Sequence, residues 1–150
     1  MYRFLPPPVV LLLVGLGMWL LARLLPGAAV ALPGAGWIAL IIATGALLIM
    51  ALTAWTLRRH GTTIDPRHPE QSSSLVRDGV FRWSRNPIYL ADALLLVAWA
   101  LYLGNLAAVP LIPLFMVLIQ RFQILPEERA LEQRFGEDFH AYRRSVRRWL

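Results

Sequence analysis

The stretch "WIALIIATGALLIMALTAWTL", residues 37–57, decides the fold. It runs from Trp37 to Leu57 without a charged side chain. A helix needs about 20 apolar residues to cross the hydrocarbon of a bilayer, and this run meets that length. Trp37 and Trp55 stand near its two ends, where amphipathic rings favour the membrane–water boundary. Working outward, Val9–Leu25 precedes it as another apolar segment, and Ile88–Leu103 and Leu106–Phe122 follow. The last two are separated by Gly104 and Asn105, which suits a tight helical hairpin. Both are short, so tilt or cover by neighbours is expected. The expectation is an all-α integral membrane protein with about four transmembrane helices, the last two a tight hairpin, and a cytoplasmic C-terminal amphipathic helix.

Composition agrees. Hydrophobic residues make up 57% of 150, and the mean hydropathy of +0.53 is too apolar for an ordinary soluble domain of that size. No cysteine occurs, which excludes disulfides, thiolate metal sites and cysteine nucleophiles. The formal charge of +6 is carried on the cationic side by arginine alone, so a lysine base or Schiff base is excluded as well. In a membrane chain such a basic balance reports topology rather than nucleic-acid binding.

The arginines orient the bundle. The link from Pro26 to Gly36 and the Gly104–Asn105 turn carry no charge, whereas Arg58–Arg85 and the chain from Arg121 onward hold nearly all the arginines. The positive-inside rule then places both charged segments and both termini in the cytoplasm, with a bacterial inner membrane as the expected location. Arg23 is expected to snorkel. Arg3, an apolar run and "AAVA" at Ala28–Ala31 imitate a secretory signal, but the run is long for one, and the next helix needs a partner. The chain thus divides into two N-terminal helices (1–57), a cytoplasmic loop (58–86), a helical hairpin (87–122) and a cytoplasmic tail (123–150), all in one membrane domain.

Polar residues gather where the loop meets the third apolar segment. "VFRWSRNPIYL", Val80–Leu90, sets Arg82, Arg85, Asn86 and Tyr89 at that doorway, with Pro87 suited to a first helical position. Arg121 and Gln123 stand at the exit of the fourth segment, and Glu127 and Glu128 follow Pro126 in the first turn of a new helix. A hairpin would bring these groups together, as a site for a polar ligand at the membrane surface requires. Taken singly, the arginines read as topology anchors and the glutamates as helix-dipole complements. Their coincidence across two distant segments is what those readings leave unexplained. Asp92 lies one helical turn beyond Tyr89 inside the apolar run, where a carboxylate either functions or pairs near the interface.

Other features are weaker. Gly15 and Gly17 lack a preceding strand and a third glycine, so they read as helix-packing positions rather than a dinucleotide fingerprint. His60, His68 and His140 have no zinc-ligand spacing, and no metal is expected. Leu131, Phe135, Phe139 and Tyr142 recur at helical spacing, giving the tail helix one apolar face that Gly136 is placed to interrupt.

"LVRDGVFRWSRNPIYL", followed by "PEERALEQRFGEDFHAYRRSVRRWL", resembles the membrane methyltransferases that include isoprenylcysteine carboxyl methyltransferases and phospholipid N-methyltransferases. The resemblance extends from Gly61, through "GTTIDP", to the C-terminus. It implies an S-adenosylmethionine site made from an Arg-His-Pro-x-Tyr-x-Gly motif and a Glu-Glu motif, with a lipophilic or lipid acceptor. By position, Arg85, Asn86, Pro87 and Tyr89 take the first motif and Glu127 and Glu128 the second. Asn86 replaces the histidine and Ala91 the glycine. Gln123 falls where the eukaryotic isoprenylcysteine enzymes carry an arginine, so Gln123 and Arg121 are the substrate-binding candidates, and Asp92 and Glu128 the catalytic ones. Two other readings stay open: a sterol-type NADPH reductase, whose related motif has an acidic residue at the position of Asp92, and a scaffold whose "YRRSVRRWL" tail holds anionic lipid.

Overall fold

The computed structural model describes residues 5–61 and 75–150. Arg3, His68 and nearly all of the "GTTIDP" segment lie outside the described residues. Those described are helical, with one isolated bridge between Ala29 and Asn105. The helices are α1 (Pro7–Leu24), α2 (Ala35–Arg59), α3 (Pro87–Leu103), α4 (Leu111–Ile119), α5 (Leu125–Phe135) and α6 (Glu137–Ser145). Short 3₁₀ turns occupy Pro26–Ala28, Gly79–Arg82 and Leu106–Ala108.

Three helical stretches are long and apolar enough to cross a membrane: Pro7–Leu24, Ala35–Arg59 and the continuous run Leu106–Phe135. The remaining expected span, the third segment that becomes α3, is apolar but has 17 residues, the lower limit for spanning about 30 Å of hydrocarbon. It is also the most enclosed helix. Tyr89, Ala93, Leu96 and Ala100 join Val14 and Met18 of α1 and Phe115 and Ile119 of α4 in the core. A helix that is apolar all round belongs at the centre of a bundle, and here it sits there.

The hairpin expectation needs correction. The most extensive partner of α3 is α2, not α4. The residues that α2 buries are all small: Ala35, Ala39, Ala46, Thr53 and Thr56. In lipid, where apolar burial drives little association, small side chains let backbones approach and gain dispersion, so α2 and α3 pack along that stripe. Thr53 and Thr56 return their hydroxyls to Ile49 O and Leu52 O and present no unpaired donor. The turn after α3 is also longer than Gly104 and Asn105. It continues through the Leu106–Ala108 turn to Pro110, and Gly104 takes φ 57 at a point where a Cβ would meet Val30 O at 3.1 Å.

A second correction concerns the end of the fourth segment. The chain does not stop at Phe122 and restart at Pro126. It widens into a π turn over Gln120–Ile124 and runs on into α5. Pro126 has no N–H for the usual bond one turn back, and a widened turn lets the helix pass a missing donor without breaking. The tail forms two helices, broken at Gly136 where the sequence placed an interruption, with φ of 50° and ψ of −122° that favour glycine.

The two uncharged connections meet at one end of the bundle: Val30 N donates to Gly104 O at 2.7 Å, and Asn105 Nδ2 to Leu25 O at 3.0 Å. Gly15 and Gly17 do serve helix packing. The Trp99 indole donates to Gly15 O at 3.0 Å, and Leu111 lies 3.1 Å from where a Gly17 Cβ would be. Arg23 lies over the Trp19 ring at 5.5 Å.

Candidate active site

The charged end of the bundle is built around the first turn of α3. Pro87 occupies the helix start, where its missing N–H is harmless, and Asn86 precedes it with a non-helical backbone. That geometry turns Arg85 under the C-terminal chain and leaves Tyr89 on the buried face. The same rigid corner supplies both residues.

Arg85 and Glu128 meet across the bundle, NH2 to Oε1 at 2.8 Å, with side chains 8% and 9% exposed. Arg148 completes the cluster with a fork: Nε to Oε1 at 3.1 Å and NH2 to Oε2 at 2.7 Å. Both oxygens of Glu128 are thus held by guanidinium groups, which keeps it an anion. One turn inward, Tyr89 donates its hydroxyl to Glu127 Oε1 at 2.6 Å. Arg85 and Tyr89 thus meet Glu128 and Glu127 across the two segments, as the expected convergence of their ends required.

Asp92 is 4% exposed and receives no hydrogen bond among the described residues. It neighbours Tyr89. Arg85 Nε is likewise buried, with no acceptor among the described residues. Arg85 Nε is therefore a buried donor held in reserve, and Asp92 is a largely buried carboxylate one turn beyond Tyr89.

The rest of Arg85 is committed to the C-terminal chain. Its NH1 donates to Val146 O at 2.6 Å and Arg143 O at 3.1 Å, and its backbone N to Arg147 O at 3.0 Å. Asn86 Nδ2 donates to Arg148 O at 3.0 Å, joined by Ser84 Oγ at 3.3 Å. The Asn86 amide therefore faces the protein's own backbone. Tyr142 donates to Phe81 O at 2.7 Å, and burial pushes its phenol up, against the opposing pull of Arg85 and Arg77, so it stays a neutral donor. Farther out, Asp78 receives a hydrogen bond from His60 at 2.9 Å, which holds its carboxyl below the usual range and ties α2 to the turn before α3.

Arg121 and Gln123 do not join this cluster. Arg121 is exposed, and Gln123 donates to Leu5 O at 3.2 Å beside an apolar groove of about 510 Å³ between α1 and α4, lined by Val14, Leu118 and Phe122 among others. The reason is the π turn, which changes the angular register between residues 120 and 124. Arg148 is the functional candidate that sequence reasoning missed. It stands among Arg143, Arg144 and Arg147, and nothing local distinguishes the one arginine that turns inward.

Comparison with known proteins gives the class of this membrane chain. Residues 35–138 match the phospholipid methyltransferase family, so the chain belongs to that family of membrane methyltransferases. It is also similar to an uncharacterized protein of Haemophilus influenzae, 44% identical over 63 residues, which are 42% of this chain and 100% of that one. No solved structure matches.

Proposed function

We propose that the protein is an S-adenosylmethionine-dependent methyltransferase that alkylates a lipophilic amine or thiol delivered from the membrane. The observation that carries this reading is the meeting of Arg85 and Tyr89 with Glu128 and Glu127, which leaves Arg85 Nε without an acceptor among the described residues.

The residues fit the cofactor's charges. Arg85 suits its carboxylate, Glu127 its ammonium and sulfonium, and Tyr89 orients Glu127. Glu128, saturated by Arg85 and Arg148, holds Arg85 in place. When bound, the cofactor would supply a methyl group on a cationic sulfur, open to in-line displacement by the acceptor's lone pair with the sulfur leaving as a neutral thioether. The chain's own part is to position both reactants and to take a proton.

Asp92 selects the acceptor class. An unpaired buried carboxylate repels a carboxylate acceptor and accepts the proton that an amine or thiol must lose. The groove beside Gln123, one helical step before Glu127, gives a hydrocarbon chain room along α1 and α4. Arg121 and Gln123 are then contacts for the acceptor's polar end rather than for the cofactor.

Calorimetric titration of the detergent-solubilised protein with S-adenosylhomocysteine, with NADPH alongside, tests the reading. Saturable binding of the first, lost in Glu127→Gln, is expected. Binding of NADPH alone would replace the proposal with a reductase, and binding of neither would favour the lipid-holding scaffold.

A further inference from the structure

The C-terminal strap is the conspicuous structure that the proposed chemistry leaves unused. After α6 the chain turns extended at Val146, with φ −127° and ψ 135°, and lies across the segment before α3. Its carbonyls receive Arg85, Ser84 and Asn86, and Trp149 Nε1 reaches Gln120 Oε1 at 3.3 Å at the far end. This seam fixes the backbone of Arg148 and aims its guanidinium at Glu128.

The charge count at that point matters. Arg85 paired with Glu128 alone is a neutral unit, and a neutral unit offers a ligand carboxylate little beyond one hydrogen bond. Arg148 answers the Glu128 charge a second time, through both oxygens, so the trio Arg85, Glu128 and Arg148 carries one net positive charge. The surplus lies in a site where Arg85 and Glu128 are more than nine-tenths shielded, so it is weakly screened. Arg85 keeps an unpaired Nε on the same guanidinium. The arrangement thus separates two tasks: Glu128 holds Arg85 still, and Arg148 cancels the cost of that restraint in potential.

We propose that Arg148 is a positioning residue that keeps the Arg85 guanidinium net cationic toward the amino-acid carboxylate of the cofactor, making the C-terminal strap a wall of the cofactor site. The inference rests on the methyltransferase reading. Arg148 makes no ligand contact itself and acts through Glu128.

The test compares two ligands, S-adenosylhomocysteine and its decarboxylated analogue, by calorimetry on wild type, Arg148→Ala, Arg148→Lys and Arg144→Ala. Arg144 supplies a matched loss of one tail arginine, because it pairs with exposed Glu137 away from the cluster. Loss of one partner of a desolvated charge pair weakens binding by about tenfold or more. That loss is expected in Arg148→Ala for S-adenosylhomocysteine, with affinity for the decarboxylated ligand nearly unchanged. Arg148→Lys should recover part of the affinity, since it restores charge without the fork. Arg144→Ala should bind both ligands as the wild type does.

Thermal melting of each variant shows whether the sample titrated is folded. Equal loss on both ligands, or none on either, in folded Arg148→Ala overturns the inference and leaves the methyltransferase reading standing. If Arg148→Ala does not fold, Arg148→Lys decides: a loss confined to the carboxylate ligand supports the proposal, and any other result overturns it. A wild type that binds neither ligand overturns both readings together.

Discussion

Adjacent glutamates at the start of α5 have opposite duties. Glu128 accepts from Arg85 and Arg148 through both oxygens, whereas Glu127 has one oxygen on Tyr89 and no hydrogen bond to the other among the described residues. Removing Glu128 therefore strands two cations, one of them buried, and breaking such a network costs about 3–5 kcal/mol. Glu128→Ala is expected to lower the melting temperature sharply, which makes it a measure of folding more than of cofactor affinity. Glu127→Gln keeps the shape and the acceptor for Tyr89, so it should melt within about 1 kcal/mol of wild type while losing S-adenosylhomocysteine affinity. A Glu127→Gln variant with unchanged affinity would remove Glu127 from the site. At Asp92, the Asn variant relieves a buried charge and so should melt no lower than wild type, yet turn over about a hundredfold more slowly if the carboxylate is the proton acceptor. Cofactor affinity retained with turnover lost, once an acceptor is in hand, is the expected pattern.

At the scale of elements, two joints shape the site. Gly136 breaks the tail into α5 and α6 with a positive φ that turns α6 back until Phe139 and Tyr142 are buried. Gly136→Ala forces a side chain into a backbone region that glycine dominates, so a loss of about 1–3 kcal/mol in stability is expected by thermal or denaturant unfolding. A wild-type melt would show that the break does not depend on that conformation. At the other end, Asn105 accepts from Ala107 N and donates to Leu25 O, fastening the α3–α4 turn to the α1–α2 link. Asn105→Ala removes the partners of part-buried backbone groups and is expected to cost about 1 kcal/mol. Because the turn lies at the opposite end from the Arg85 cluster, cofactor affinity should stay at the wild-type value in the folded fraction. The sequence marked both joints as glycine or asparagine punctuation. The π turn carried no such mark, since Gln120–Ile124 is a local answer to Pro126.

The described residues form an apolar bundle whose charge, Arg23 apart, gathers at one end. The absence of cysteine makes its orientation directly measurable with single introduced thiols. Gly27→Cys in the uncharged link should react with a membrane-impermeant maleimide from the outside of intact cells, and Leu150→Cys only after permeabilisation. The reverse pattern would invert the topology and put the cluster on the wrong face for a cytoplasmic cofactor.

The sequence by itself determined the membrane class, the approximate places of the apolar helices and which end of the bundle gathers the charge, because hydropathy and arginine placement are properties of short segments. Tertiary structure decided the partner of α3, which follows from matching a stripe of small residues that hydropathy does not register. It also decided the division of labour between Glu127 and Glu128 and the recruitment of Arg148. Those depend on which oxygen meets which guanidinium across segments far apart in the chain, and buried charges are settled by that three-dimensional pairing, not by local composition.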